Sequence, residues 1–394
     1  MLRPRLFLFI IVLLSGVVPL PPPSFAREVS FSRPLSIRWQ YTTDQATHLT
    51  PAFESDSDLV FLPLSRGILV SLQARDGKLL WQTDPGGEFS ASPATDSRRV
   101  YVASSESTNI VGRSPLPVKA VIRALGLQSG VTIWRLQLPT SLRGTLVATS
   151  RAVFGAGDDG KIYALDKDSG RILWATHLGG KFTSHPVVCD ERIYLGNDLG
   201  ILFALDANSG KPLWRYRTRG ALRGTASLSG QTLYIGSADN YVYALNRESG
   251  RLLWRSRTGA EVQAVAVSRN GLVVASLDNF IYFLSFGRGD RLWKRQMPGR
   301  VTAVPLITEN SALFTPLAGD SCVALNLSDG KVLNSVIIGD DNNTAAAPIA
   351  SDTLLFITTR RGLTAFENNS NKLAGQQTQK IRTWEKVFRY KKIV

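Results

Sequence analysis

Gly157–Trp174 reads GDDGKIYALDKDSGRILW, and the phrase returns as NDLGILFALDANSGKPLW ending at Trp214 and as SADNYVYALNRESGRLLW ending at Trp254, a period of 40 residues. Self-similarity at that spacing marks a repeat architecture. Looser copies extend the series. Units close at Trp39, Trp81, Trp134, Trp174, Trp214, Trp254 and Trp293, and Asn334 takes the next slot. A glycine stands four residues before each closing position from Trp81 onward: Gly77, Gly130, Gly170, Gly210, Gly250, Gly289 and Gly330.

Each unit accommodates four short strands, A to D. IYALD (162–166) alternates at period 2, Asp-Ser-Gly turns the chain, and RILW (171–174) returns antiparallel. The turn glycine is expected at positive φ, which residues carrying a Cβ resist. HPVVCDERIYLGNDLG (185–200) holds strands A and B of the next unit with their own turns. Four strands per 40 residues predicts an all-β propeller of four-stranded antiparallel blades. Leucine-rich and tetratricopeptide repeats need another spacing or a helical period. The tryptophan on strand D is expected to fill the wedge between blades, its indole N–H reaching a backbone acceptor. Pro212, which has no N–H to donate, suits the edge position of strand D.

The first strand after the leader, LSIRWQYTT (35–43), reads as a strand D without A, B or C before it. After Asn334 come strands A to C of a last unit, with no D behind them. Joining the two ends predicts an eighth blade, 340–367 plus 35–43, which closes the ring without an open edge. The other blades run approximately 46–86, 87–139, 140–179, 180–219, 220–259, 260–298 and 299–339.

Three domains are expected: a signal peptide over 1–26, the eight-bladed propeller over 27–367 and a basic tail over 368–394. Arg3 and Arg5, the apolar run Leu6–Val18 and the Ser24-Phe25-Ala26 cleavage site make the leader, implying export. An uncleaved anchor is the alternative. No cysteine follows the apolar run, so no lipid anchor is expected. Of the formal charge of +15, the leader supplies +2, and residues 368–394, with seven Lys/Arg against one Glu, supply +6. The remainder leaves about +7 on the propeller. A basic exported surface suits anionic head groups or acidic protein patches; nucleic acid is not expected. In the tail, Ile381, Trp384, Val387 and Phe388 fall on one face of a short amphipathic helix. That helix either lies on an anionic membrane surface or packs back on the propeller.

No catalytic constellation stands out. His48, His177 and His185 lack metal-ligand spacing. Asp159, Asp239 and Asp278 share one register of the repeat, where Asp-Gly and Asp-Asn are what a turn between B and C prefers. Cys189 and Cys322, three blades apart, are expected to be unbridged small hydrophobes. Neither a metal nor a cofactor is expected. Blade 2 carries about a dozen extra residues near Ser104–Lys119, either a binding loop or a tolerated insertion.

The ALDxxSGxxLW phrase resembles the repeat of pyrroloquinoline-quinone-type β-propellers over residues 35–367. One branch is the quinoprotein dehydrogenases, which hold quinone and Ca²⁺ on the axis beneath a disulfide of adjacent cysteines. The other is the BamB family of outer-membrane assembly factors, non-enzymatic eight-bladed scaffolds. Leu138-Pro-Thr-Ser-Leu-Arg-Gly144 is similar to a family loop that contacts the barrel-forming protein BamA. The resemblance therefore implies partner binding through Leu142, Arg143 and Gly144. The following loop, 179–184, lacks the acidic residues family members carry there. Leu222-Arg223-Gly224 repeats the tripeptide two blades on, so Leu-Arg-Gly also reads as chemistry for starting a blade. The expectation is an exported BamB-like scaffold. The alternatives are a periplasmic repeat protein with another partner and a quinone-binding oxidoreductase.

Overall fold

The computed structural model describes residues 29–45, 47–106 and 119–368. The leader, the middle of the blade 2 insertion and the tail lie outside the described residues. Eight antiparallel sheets follow one another around a ring, each with strand order A-B-C-D. Blade 3 shows the pattern: Leu142–Ala148, Ala152–Gly157, Lys161–Asp166 and Ile172–His177. Blade 2 differs in having its inner strand split into Glu88–Phe89 and Ala94–Thr95. Its strands B and C run longer than elsewhere, Arg99–Glu106 against Lys119–Gly126, so both ends of the 104–119 stretch are ladder rather than loop.

The last blade closes as the sequence implies. Leu35–Thr42 pairs antiparallel with Gly362–Asn368, completing the sheet of Leu354–Thr359 and Ile349–Ala350. The residues before that strand replace the missing turn between C and D. Val29 and Phe31 are buried in the core between blades 7 and 8. The Ser30 N–H donates to Asn368 Oδ1 at 2.9 Å, and Asn368 Nδ2 donates to the Ser30 carbonyl at 2.7 Å. Residues 338 apart in sequence are thus tied by a reciprocal pair.

Among the described residues the apolar core divides into eight clusters, each spanning the interface of two adjacent blades. Strands B and C are buried on both faces, whereas the outer strand D alternates exposed and half-buried residues. Every strand D carries a register shift beside its closing residue, as at Ala164/Leu165 opposite Ile172 and Trp174. The bulged residue, Leu173, is pushed out, and the ring of Trp174 turns toward blade 4.

There each indole meets the turn glycine of the following blade. A Cβ on Gly77, Gly130, Gly170, Gly210, Gly250, Gly289 or Gly330 would fall within 3 Å of the ring of Trp39, Trp81, Trp134, Trp174, Trp214, Trp254 or Trp293 respectively. These glycines have φ between 66° and 72°, so one residue type meets both a left-handed turn and a flat seat. The indole N–H donates to a carbonyl of the same turn, from Trp39 to Ala74 at 2.7 Å and from Trp174 to Ala207 at 3.1 Å. At the eighth interface the Asn334 side chain does the same, Nδ2 donating to the Arg33 carbonyl at 2.9 Å.

Candidate functional site

Connections from D to A and from B to C share one rim. Arg143 joins the two kinds of connection. It lies at the start of strand A of blade 3, and its Nε donates to Asp158 Oδ2, in the turn between B and C, at 2.8 Å. Its side chain remains 48% exposed. Leu142 is 1% exposed, packed over Gly155 in the core between blades 2 and 3. The eighth residue after the tryptophan is buried in successive blades, Leu142, Phe182, Leu222, Val262 and Val301, and belongs to the core register of the repeat. The surface of the tripeptide is therefore Arg143 and the backbone around it.

Gly144 has φ 73°, and its carbonyl accepts the Ser92 N–H of blade 2 at 2.9 Å. A Cβ there would press on His185 Cδ2 and the Ser184 carbonyl of blade 4. Thr145 Oγ1 lies 3.1 Å from His185 Nδ1, and burial lowers the imidazole pKa below its ordinary value. Sequence reasoning did not connect Ser92 and His185 with this loop, because they belong to blades 2 and 4.

The second Leu-Arg-Gly copy is built differently. Leu222 is buried against Gly196, but Arg223 ion-pairs with Glu261 of the next connection at 2.5 Å, and Gly224 carries no positive φ. In blade 3 the tripeptide is part of a strand, Leu142 opposite Gly157 and Arg143 opposite Ala156. In blade 5 it lies ahead of strand A, which begins at Ser227. The shared feature is the buried leucine.

Asp159, Asp239 and Asp278 are locked in their turns. Each accepts a backbone N–H two residues on and the hydroxyl of Tyr163, Tyr243 or Tyr282. Burial, then the hydrogen-bonded carboxylate, raises the pKa of all three phenols. Asp239 and Asp278 also accept the N–H of Arg219 and Gly259, tying neighbouring blades. His48 and His177 are exposed. Among the described residues no three His, Cys, Asp or Glu side chains are placed to share a metal. Both cysteines are free. Cys322 is buried, its thiol pushed up to about 12 by burial, whereas Cys189 is half-exposed, 3.3 Å from Arg247 Nη1.

The sequence matches the family profile described as outer membrane protein assembly factor BamB over residues 34–112, 118–228 and 198–389. The chain belongs to the BamB family. No curated protein matches the sequence. The solved BamB of Moraxella catarrhalis superimposes with a TM-score of 0.72 at 16% identity, over 85% of this chain and 100% of that one. The computationally designed protein Ika8 gives 0.70 at 16% identity, over 83% and 98%. Quinohemoprotein alcohol dehydrogenase from Comamonas testosteroni gives 0.67 at 12% identity, over 86% and 77%. At these identities the structures share the BamB propeller fold, and that alone.

Proposed function

We propose that this member of the BamB family is a non-enzymatic exported scaffold that assists the assembly of outer-membrane β-barrel proteins. It works in the periplasm and binds a barrel-forming partner of the BamA type through the rim around Arg143. The observation that carries the reading is the family match, which runs through nearly the whole propeller. Local support comes from Arg143, half-exposed on a strand that Gly144 ties to blade 2 and Thr145 to blade 4. A guanidinium held at one nitrogen by Asp158 keeps its other N–H groups for a carboxylate or backbone carbonyls of a partner. The tail, 368–394, supplies a second contact, with an anionic membrane surface.

The experiment is purification of the tagged protein from its native envelope after mild crosslinking. The expected result is co-purification of an outer-membrane barrel protein. Recovery without any barrel protein contradicts the proposal. So does saturable binding of pyrroloquinoline quinone and Ca²⁺ with dye reduction by alcohols or sugars, which would favour an oxidoreductase.

A further inference from the structure

The cations of the propeller wall are concentrated on one side. The outer strands of blades 4, 5 and 6, Pro212–Arg217, Leu252–Arg257 and Arg291–Gln296, read PLWRYR, LLWRSR and RLWKRQ, without a carboxylate. Those of blades 7, 8 and 1 hold a single cation, Arg38, which ion-pairs with Glu367 at 3.7 Å. Arg215, Arg217, Arg255, Arg257 and Lys294 are exposed. On one strand such residues recur every second position, roughly 7 Å apart. Two are held in place by aromatic rings: Arg255 lies 4.9 Å from the centre of Tyr241, and Lys294 lies 4.6 Å from that of Phe280.

The bulges beside the tryptophans add apolar contacts to the same strands. Leu213, Leu253 and Leu292 are 47%, 44% and 55% exposed. An open groove of about 440 Å³, lined by His177, Leu178, Phe203, Leu213 and Arg215, borders the wall between blades 3 and 4. Each of the three strands is also the terminal strand of its sheet, with one row of backbone groups facing outward.

We propose that the wall of blades 4–6 binds an acidic, extended polypeptide segment with interspersed apolar side chains. Charge complementarity selects the acid, the exposed leucines select the apolar residues, and the open strand edges suit a peptide backbone. Shape argues against a lipid bilayer as occupant: with eight blades, neighbouring edges turn by about 45° around the axis, so a plane cannot touch all three, whereas a flexible chain follows the curve. The surface is separate from the Arg143 rim and does not depend on what that rim binds.

The test uses the full chain and a fluorescein-labelled peptide in which glutamate alternates with serine and leucine, followed by fluorescence anisotropy. One variant carries Arg215→Glu, Arg217→Glu and Arg257→Glu. A control with the same charge change carries Arg38→Glu, Arg75→Glu and Lys331→Glu. The wall variant should weaken binding by about 10-fold or more and flatten its salt dependence, with the control near wild type. A set of Arg→Gln changes at the three wall positions, with an unchanged melting curve, reads the same effect should charge reversal perturb folding. Equal losses in wall variant and control, or no loss, overturn the proposal. Unchanged peptide binding combined with lost sedimentation on phosphatidylglycerol vesicles overturns it in favour of lipid.

Discussion

At the scale of single residues, the repeat turns on a glycine that meets two demands at once. Gly210 has φ 69° and lies against Trp174, whereas Gly230 has φ 53° with nothing within 4 Å of an added Cβ. Gly230→Ala should therefore cost only the left-handed backbone penalty, about 1 kcal/mol. Gly210→Ala should cost about 2–4 kcal/mol, because the tryptophan loses its seat as well. Urea unfolding of the two variants checks the difference, and equal losses would mean that the indole is not held there. His185 gives a pH signature. Burial lowers its folded pKa, so the unfolded chain binds a proton first, and stability falls as pH drops below the ordinary value of 6.5 toward the folded pKa. His185→Gln should remove that step from a plot of melting temperature against pH. A second loss belongs to carboxylates. The Asp166 and Asp206 pKa values are lowered first by the Ser169 and Ser209 hydroxyls, so what they contribute is present above the ordinary value of 3.8 and is lost as pH falls below it.

At the scale of elements, deleting Leu35–Thr43 should leave the eighth blade without its outer strand and expose the edge of Gly362–Asn368. A sharply lower melting temperature or aggregation is expected, and an unchanged melting curve would mean that the ring closes another way. Asn368→Ala removes both hydrogen bonds of the reciprocal pair and should cost about 1–3 kcal/mol. The four strands, their turns and this closure were legible in the sequence because they rest on local signals: period-2 alternation, a turn glycine and half a blade at each end. Two features were not. The bulge before each tryptophan breaks the alternation without a residue type to mark it, and Val29–Arg33 resembles no turn although it takes the place of one.

At the scale of the whole molecule, the ring brings together residues whose separation in sequence hides their proximity. Arg143 was legible as a candidate through family resemblance, but the hydrogen bonds from Gly144 to Ser92 of blade 2 and from Thr145 to His185 of blade 4 follow only from blades meeting in space. Leu142 was legible through its copy: the tripeptide repeated two blades away read as chemistry for starting a blade, with the leucine entering the core, and both Leu142 and Leu222 are buried. The basic wall was likewise diluted in the total charge, and it becomes a surface only when three outer strands stand side by side.

The function proposed for that ring depends on the difference between two arginines alike in sequence. Arg143 is 48% exposed and paired to Asp158, Arg223 is 51% exposed and paired to Glu261, so exposure and an acidic neighbour do not distinguish them. Charge reversal at a central interface arginine typically costs roughly 2 kcal/mol or more in binding, whereas reversal outside the interface costs little. The direct measurement is capture of the barrel-forming partner by Arg143→Glu and Arg223→Glu proteins with unchanged melting curves. The account predicts loss of capture with Arg143→Glu alone, and capture retained by both variants would contradict it.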